Sequence, residues 1–367
     1  MKVLAVVPSI YDTAPGQRFR IEQWEPILGE RGIEITYAPF ETEELREVLH
    51  RGGNVLRKIG AVTRNLKRRR GEFGDLSKYH LVYLFREAAL LGPPWFERKA
   101  ARSQVPVVFD FDDAIFHAYK SPSNGYLSYL KFPGKTGEIC RLSTHIMAGN
   151  DYLADYARQY NEAVSIVPTT IDTEKYRVVD KAKDESITIG WSGSFSTIQH
   201  LDTVRDVLQE LAKTEDFRLR VIGAPVYKIP GVDVEAMKWR SETEIDDLAA
   251  IDIGLMPLPD DNWSKGKCGL KALQYMALGI PTICSPVGVN STIITDAENG
   301  FLAGNPAAWV EKIKLLVHDP ELRRKIGLAG RETVEQAYSA EVIAPKVADV
   351  FRSAVGPQAA SLRVSQK

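Results

Sequence analysis

The chain predicts an α/β protein built from two doubly wound, parallel-sheet domains. Short apolar strands alternate with helices, the alternation restarts after a polar, charged connector at Asp172–Ser186, and 367 residues exceed what one core of ordinary size holds. Lys2–Pro8 opens the first half as a strand, Arg18–Arg31 follows as a helix, and Ile33–Tyr37 is the next strand. His80–Phe85 and Val105–Phe111 are further apolar runs of strand length. Thr144–Ala148 leads into the helix Asp151–Tyr160, and Val164–Val167 closes the half. The second half runs Ile187–Trp191, helix Leu201–Ala212, Leu219–Ile222, Asp252–Met256, helix Leu270–Leu278 and Pro281–Cys284. Residues 1–170 are expected to form one domain and 171–345 a second; 346–367 finish the helix Ala340–Val355 and end in a frayed polar tail from Gln358. In such sheets a ligand sits beyond the carboxyl ends of the strands, and two facing sheets place one cleft between them.

Composition narrows the function. Hydrophobic residues are 44% of the chain, enough for two cores, so a disordered protein is excluded. Lys+Arg 47 against Asp+Glu 48 leaves a formal charge of −1, which argues against a nucleic-acid partner. The three cysteines, Cys140, Cys268 and Cys284, show neither a CxxC pair nor zinc-type spacing and fit a reduced, cytoplasmic protein. The opening MKVLAVVPSI is too short an apolar run for a signal peptide, and no segment approaches the roughly 18 apolar residues of a membrane span.

One stretch departs from this balance. From Val48 to Gly71 no residue is acidic, while Arg51, Arg57, Lys58, Arg64, Lys67, Arg68, Arg69 and Arg70 are basic. Val55, Leu56, Ile59, Val62 and Leu66 form a helical stripe. Residues 51–70 read as a basic amphipathic helix suited to an anionic membrane surface, which would hold the protein peripherally at the inner face. No aromatics interleave with the run, so nucleic acid is the poorer match; the alternative is a solvated loop.

The richest chemistry lies in Trp263–Asn290, WSKGKCGLKALQYMALGIPTICSPVGVN. A glycine-bearing loop enters a helix carrying Leu270, Leu273 and Ala277, which Gly279 and Pro281 stop. A buried strand then meets a second loop with Pro286 and Gly288. Lys265, Lys267 and Lys271 surround Gly266 and Gly269 where the helix begins. Free backbone N–H groups, flexible glycines and positive charge at a helix start suit a phosphate or diphosphate. Lys267 and Lys271, four apart, are expected to share a helical face. Three solvated surface lysines are the plainer alternative. Trp191-Ser-Gly-Ser194 also joins a strand to a helix, so Gly193 and Ser194 suit close backbone approach to phosphate, or form a tight turn.

In the first half, FDFDDAIF (Phe109–Phe116) ends a buried strand in Asp110, Asp112 and Asp113. Buried charge needs a partner, and carboxylates suit Mg²⁺, yet the lysines downstream can do a metal's work; no metal is expected, and Asp110 is read as tying down the loop. Pro15-Gly-Gln-Arg-Phe-Arg20 follows the first strand, so Gln17, Arg18 and Arg20 suit an anionic ligand, as does Arg86 after the third. An Arg–Glu salt bridge between loops is the alternative. His117 is a general base or an ordinary loop histidine.

KALQYMALGIPTICSPVG together with ENGFLA (Glu298–Ala303), the strand order and the Gly190–Ser194 loop resemble the retaining, GT-B-fold nucleotide-sugar glycosyltransferases, most closely the large bacterial family numbered four. The likeness spans nearly the whole chain and is more specific in the second half. It implies a GT-B fold of two Rossmann-like domains, a nucleotide-diphosphate sugar as co-substrate held by the second, and a glycan or lipid-linked acceptor held by the first. It implies transfer with retention and without a metal ion or other cofactor, and a C-terminal helix crossing back onto the first domain.

Residue by residue, the resemblance gives Gly266 and Gln274 the positions where relatives carry two glutamates, the second touching ribose. Gln274 remains able to hydrogen-bond ribose, and sugar contacts fall to backbone or Asn262. Ser194 and Gln199 stand where relatives have an arginine and a lysine, so Lys265, Lys267 and Lys271 are assigned the leaving diphosphate. Arg240 is placed beside the base, with packing as the other role for this Lys238-Trp-Arg240 turn. Asp112 and Asp113 occupy the position of a catalytic histidine–aspartate pair, and Gln17, Arg18, Arg20, Arg86 and His117 face the acceptor. A periplasmic sugar-binding protein shares the bilobal plan but needs a signal peptide. A catalytically silent nucleotide-sugar binder is the remaining alternative, because two expected carboxylates are replaced.

Overall fold

A computed structural model describes residues 1–50, 55–117, 132–178, 186–194 and 197–356. The chain divides into two compact units, Met1–Pro168 with the chain from Ile343 onward, and Thr169–Val342. The C-terminal helix Ala340–Val355 starts in the second unit and continues in the first.

The first unit holds six strands: β1 (Lys2–Val7), β2 (Glu34–Pro39), β3 (Leu81–Phe85), β4 (Val107–Phe111), β5 (His145–Ala148) and β6 (Val164–Ile166). All pair in parallel in the order β2-β1-β3-β4-β5-β6. β3 and β4 are buried at every residue, as expected of strands covered on both faces. The chain winds from β1 out to β2 and returns past β1 to β3, so the switch point, where ligand loops diverge, lies between β1 and β3.

The second unit repeats the plan with β7 (Ile187–Ser192), β8 (Phe217–Ile222), β9 (Asp233–Met237), β10 (Ile253–Met256), β11 (Thr282–Cys284) and β12 (Phe301–Leu302). The parallel order is β12-β11-β10-β7-β8-β9, with the switch point between β7 and β10. Helix Leu270–Ala277 lies so close to this sheet that a Cβ on Gly254 of β10 would sit 2.5 Å from the Tyr275 ring. Tyr275 is fully buried and its hydroxyl accepts from the Ser192 amide at 2.8 Å. Gly254→Val is therefore expected to cost about 1–3 kcal/mol by overpacking, read as a lower denaturant midpoint.

Three expectations are corrected. The helix foreseen at Arg18–Arg31 starts at Pro15 and is broken by a π-helical turn, Arg18–Glu22, before Gln23–Glu30. Arg20 departs from helical geometry at the kink and enters the core. The helix foreseen at Leu201–Ala212 is two, Ile198–Asp202 and Arg205–Leu211. The basic segment does form a helix, Val55–Glu72, with 51–54 outside the described residues. Its buried face, however, is Ala61, Asn65 and Arg69, while Leu56 and Ile59 are 85% and 57% exposed. Arg69 is fully buried and donates to the carbonyls of Ala88, Ala38 and Val7, so it is structural rather than surface charge.

Candidate functional site

The switch point of the second sheet gathers the lysines. Asp261 caps the short turn Asn262–Lys265 by accepting from Ser264 N at 2.7 Å, and Gly269 in the left-handed region starts helix Leu270–Ala277. Gly288, also left-handed, lies against the Lys265 backbone: a Cβ there would meet Lys265 O at 2.9 Å. The Gly288 loop thus packs directly on the Lys265–Gly266 turn, which brings the two glycine loops together. The first amides of the helix have no intrahelical acceptor, and the helix dipole makes this end positive.

Lys271 stands in the first turn, half-buried, its ammonium 4.2 Å from the centre of the buried Trp191 ring. Burial first, and the Lys267 charge second, push Lys271 down to about 7. Lys267 precedes the helix and lies over Trp263 at 4.8 Å, so the two lysines do not share a helical face as the four-residue spacing suggested. They meet electrostatically instead. Buried His200 faces both, and burial followed by Lys271 and Lys267 pushes its imidazole down to about 4. Lys265 pairs with exposed Asp260 at 3.2 Å, a surface contact of little strength. Trp191 Nε1, Ser264 Oγ and Asn290 Oδ1 are buried in these same elements without hydrogen-bond partners among the described residues. Such polar atoms are exceptional in a folded interior.

Other expected donor contacts are engaged internally. The Gly193 amide donates to Ile222 O at 3.0 Å and that of Ser194 to Thr197 Oγ1 at 3.0 Å, so both amides have acceptors within the second unit. Gln274 is buried, its amide nitrogen donating to Tyr176 Oη and Glu244 Oε1, both at 3.2 Å. Buried Glu244 also accepts from Tyr176 Oη at 2.9 Å and Trp239 Nε1 at 2.9 Å. Because a carboxylate accepts here, Gln274 must turn its NH₂ towards it, leaving the amide oxygen as the group for any ribose contact. Arg240 is exposed, and neighbouring Trp239 is held by Glu244.

In the first unit, the loops after β1, β3 and β4 converge at the switch point. A Cβ on Gly16 would sit 2.7 Å from Arg86 Nη2 and 2.8 Å from Asp112 Oδ2. Arg86 Nε pairs with Asp112 at 2.7 Å and Nη2 with Asp113 at 3.5 Å, from a backbone with φ +59 that non-glycine residues seldom adopt. The salt bridge expected of Arg86 therefore runs to aspartates, while Glu87 pairs with Lys135 at 2.5 Å. His117 Nε2 bonds Tyr152 Oη at 2.8 Å.

Three of the residues expected to face an acceptor belong to the scaffold. Arg20 forks onto buried Asp110 at 2.7 and 2.6 Å and donates to Val167 O at 2.7 Å. Gln17, fully buried, clamps Ser9 and donates to Glu22 at 2.6 Å, and Arg18 pairs with Asp12 at 2.7 Å. Sequence reading passed over His200, Glu244 and Trp191. Only the Trp191 position, at a strand end before a glycine turn, carried a signal. Among the described residues no group of three or more His, Cys, Asp or Glu is arranged to hold a metal ion, and no helix is long and apolar enough to cross a membrane.

Residues 186–319 match the family model described as Glycosyl transferases group 1. EpsD of Bacillus subtilis (strain 168), named as a glycosyltransferase, is 38% identical over 85 residues, covering 23% of this chain and 22% of that protein. The capsular polysaccharide biosynthesis glycosyltransferase CapM of Staphylococcus aureus is 30% identical over 87 residues, 23% of each. These matches span about a quarter of the relatives' lengths. Among solved structures, sucrose-phosphate synthase from Thermosynechococcus elongatus aligns over 96% of this chain and 99% of its own with a TM-score of 0.66 at 15% identity. Anabaena HepE in complex with UDP-glucose aligns over 96% of this chain and 100% of its own, also at 0.66 and 13% identity. At such identities the likeness establishes the fold, which is GT-B: two Rossmann-like units, each a six-stranded parallel sheet.

Proposed function

Because residues 186–319 match the family model of the group 1 glycosyltransferases, we propose that the protein is a retaining, metal-independent glycosyltransferase. Its second unit takes a nucleotide-diphosphate sugar and its first a glycan or lipid-linked acceptor. The observation that carries this is Lys271 beside Lys267 at the N-terminus of Leu270–Ala277, under-stabilised as a cation until an anion arrives. When the bond from the sugar's anomeric carbon to the diphosphate breaks, charge develops on the departing oxygen. Lys267, Lys271 and the first helix amides meet that charge without a divalent ion. The acceptor oxygen bonds the anomeric carbon on the same face, and its proton passes to the departing phosphate. In the first unit, Arg86 with Asp112 and Asp113 is the candidate for orienting the acceptor. The exposed helix Val55–Glu72 supports peripheral association with an anionic membrane.

A second reading, a catalytically silent nucleotide-sugar binder, is favoured by Gly266 and Gln274 in place of carboxylates. Turnover separates the two. UDP-, GDP-, ADP- and dTDP-sugars incubated with membrane extract and EDTA are expected to release one nucleoside diphosphate selectively, with undiminished rate. Strict dependence on added Mg²⁺ would overturn metal independence, and binding without release would establish the silent reading.

A further inference from the structure

We propose that the hollow between helices Val55–Glu72 and Trp95–Ala101 is a phosphate-headgroup site through which the first unit docks on an anionic lipid bilayer. The idea narrows the membrane reading above to one built pocket. It is independent of the donor chemistry.

The hollow measures about 550 Å³ and is lined by Leu66, Lys67, Arg70, Trp95, Phe96 and Lys99, with no acidic side chain in its wall. Four nearby cations are neutralised within the protein. Arg64 pairs with Glu44, Arg68 and Arg69 with Glu72, and Arg98 with Glu138. Lys67, Arg70 and Lys99 have no carboxylate within ion-pairing distance among the described residues, and these three are the ones that face the hollow. In a chain of net charge −1, that is a local concentration of positive potential rather than a general property.

The surroundings choose between a free anion and a lipid. Positions 56, 59, 63, 66 and 70 recur at spacings of three and four, so Leu56 and Ile59 lie on the stripe that runs into the hollow through Leu66 to Arg70. Leu56 is 85% exposed, Ile59 57% and Trp95 55%. Solvent-turned Trp95 in the wall of the cationic hollow, and Ile59 and Leu56 further along helix Val55–Glu72, gain from an apolar phase and an interfacial aromatic anchor, which a bilayer supplies and a soluble phosphate does not.

The test is co-sedimentation of the full chain with neutral phosphatidylcholine vesicles and with vesicles carrying one-third phosphatidylglycerol. Binding is expected only to the anionic vesicles, falling with salt. Lys67→Gln, Arg70→Gln and Lys99→Gln together should lower partitioning about a hundredfold, roughly fivefold per cation. Trp95→Ala should weaken it further, and Leu56→Ser with Ile59→Ser should do so without altering charge. The thermal shift given by a nucleoside diphosphate should be unchanged in all of these variants, showing that the fold and donor site survive. Equal binding to neutral vesicles, insensitivity to the three neutralisations, or saturable binding of inorganic phosphate without vesicle binding would each overturn the proposal.

Discussion

Lys271→Met is expected to weaken nucleoside diphosphate binding about ten- to a hundredfold while raising the melting temperature of the unliganded protein. A hydrogen bond to a charged group contributes roughly 1.5–3 kcal/mol, which sets the loss. The gain follows from the same geometry. The ammonium is half-buried over Trp191 beside Lys267, and burial with that like charge pushes it down to about 7. Methionine keeps the aliphatic contact and removes the desolvated charge. Residues that serve an anion commonly carry such a stability penalty.

The pH dependence has a definite sign. The unfolded chain holds the Lys271 proton up to its ordinary 10.5, whereas the folded protein releases it near 7. Between those values the unfolded state binds more protons, so stability attributable to this group rises with pH, and the advantage of Lys271→Met shrinks. Diphosphate binding runs the other way. It needs the ammonium, so affinity is greatest below about 7 and falls as pH rises through 9. His200, pushed down to about 4, is neutral across this window and adds nothing to it. Burial is the main cause of the Lys271 shift, and Lys267 is the cation that adds to it. Calorimetric titration of UDP at pH 6.5 and 8.5 should show weakening in the wild type and a smaller change in Lys271→Met.

Arg20→Met is expected to cost about 3–5 kcal/mol, because removing one member of a buried ion pair strands the other. The guanidinium and Asp110 are both fully buried, joined at 2.7 and 2.6 Å, and Tyr83 Oη adds a 2.5 Å bond to the same carboxylate. With about 2–4 °C per kcal/mol for a unit of this size, the melting temperature should fall by roughly 10 °C. Adding Asp110→Leu and Tyr83→Phe removes the stranded charge and should restore much of the loss. An unchanged melting temperature in Arg20→Met would mean that the pair is hydrated rather than sealed.

The strands of both sheets were legible where they are apolar through and through, because a parallel strand covered on both faces reads as an unbroken run. β9 was not. Its Asp233 and Glu235 pair with Arg218 and Arg220 on β8, so an edge strand reads as a charged loop. β12 is two residues long, too short for any periodicity. At the candidate site, the glycine–lysine pattern marked the helix start, because helix entry, glycines and charge are all local features. The roles of Arg20, Arg69 and Gln274 were hidden, since a charged or amide side chain in sequence carries no mark of the buried carboxylate or carbonyls it will meet. Gln274 looks like a weakened carboxylate in the sequence. Only Glu244, 30 residues away, fixes which end of its amide is free to accept.

The most direct test of the donor site is thermal stabilisation of wild-type and Lys271→Met protein by UDP, GDP, ADP and dTDP, each in EDTA at pH 6.5. At a hundredfold excess over the dissociation constant, one diphosphate should stabilise the wild type by about 2.7 kcal/mol and the variant far less. Equal stabilisation of both proteins, or none by any diphosphate, would contradict a leaving-group site built on Lys271.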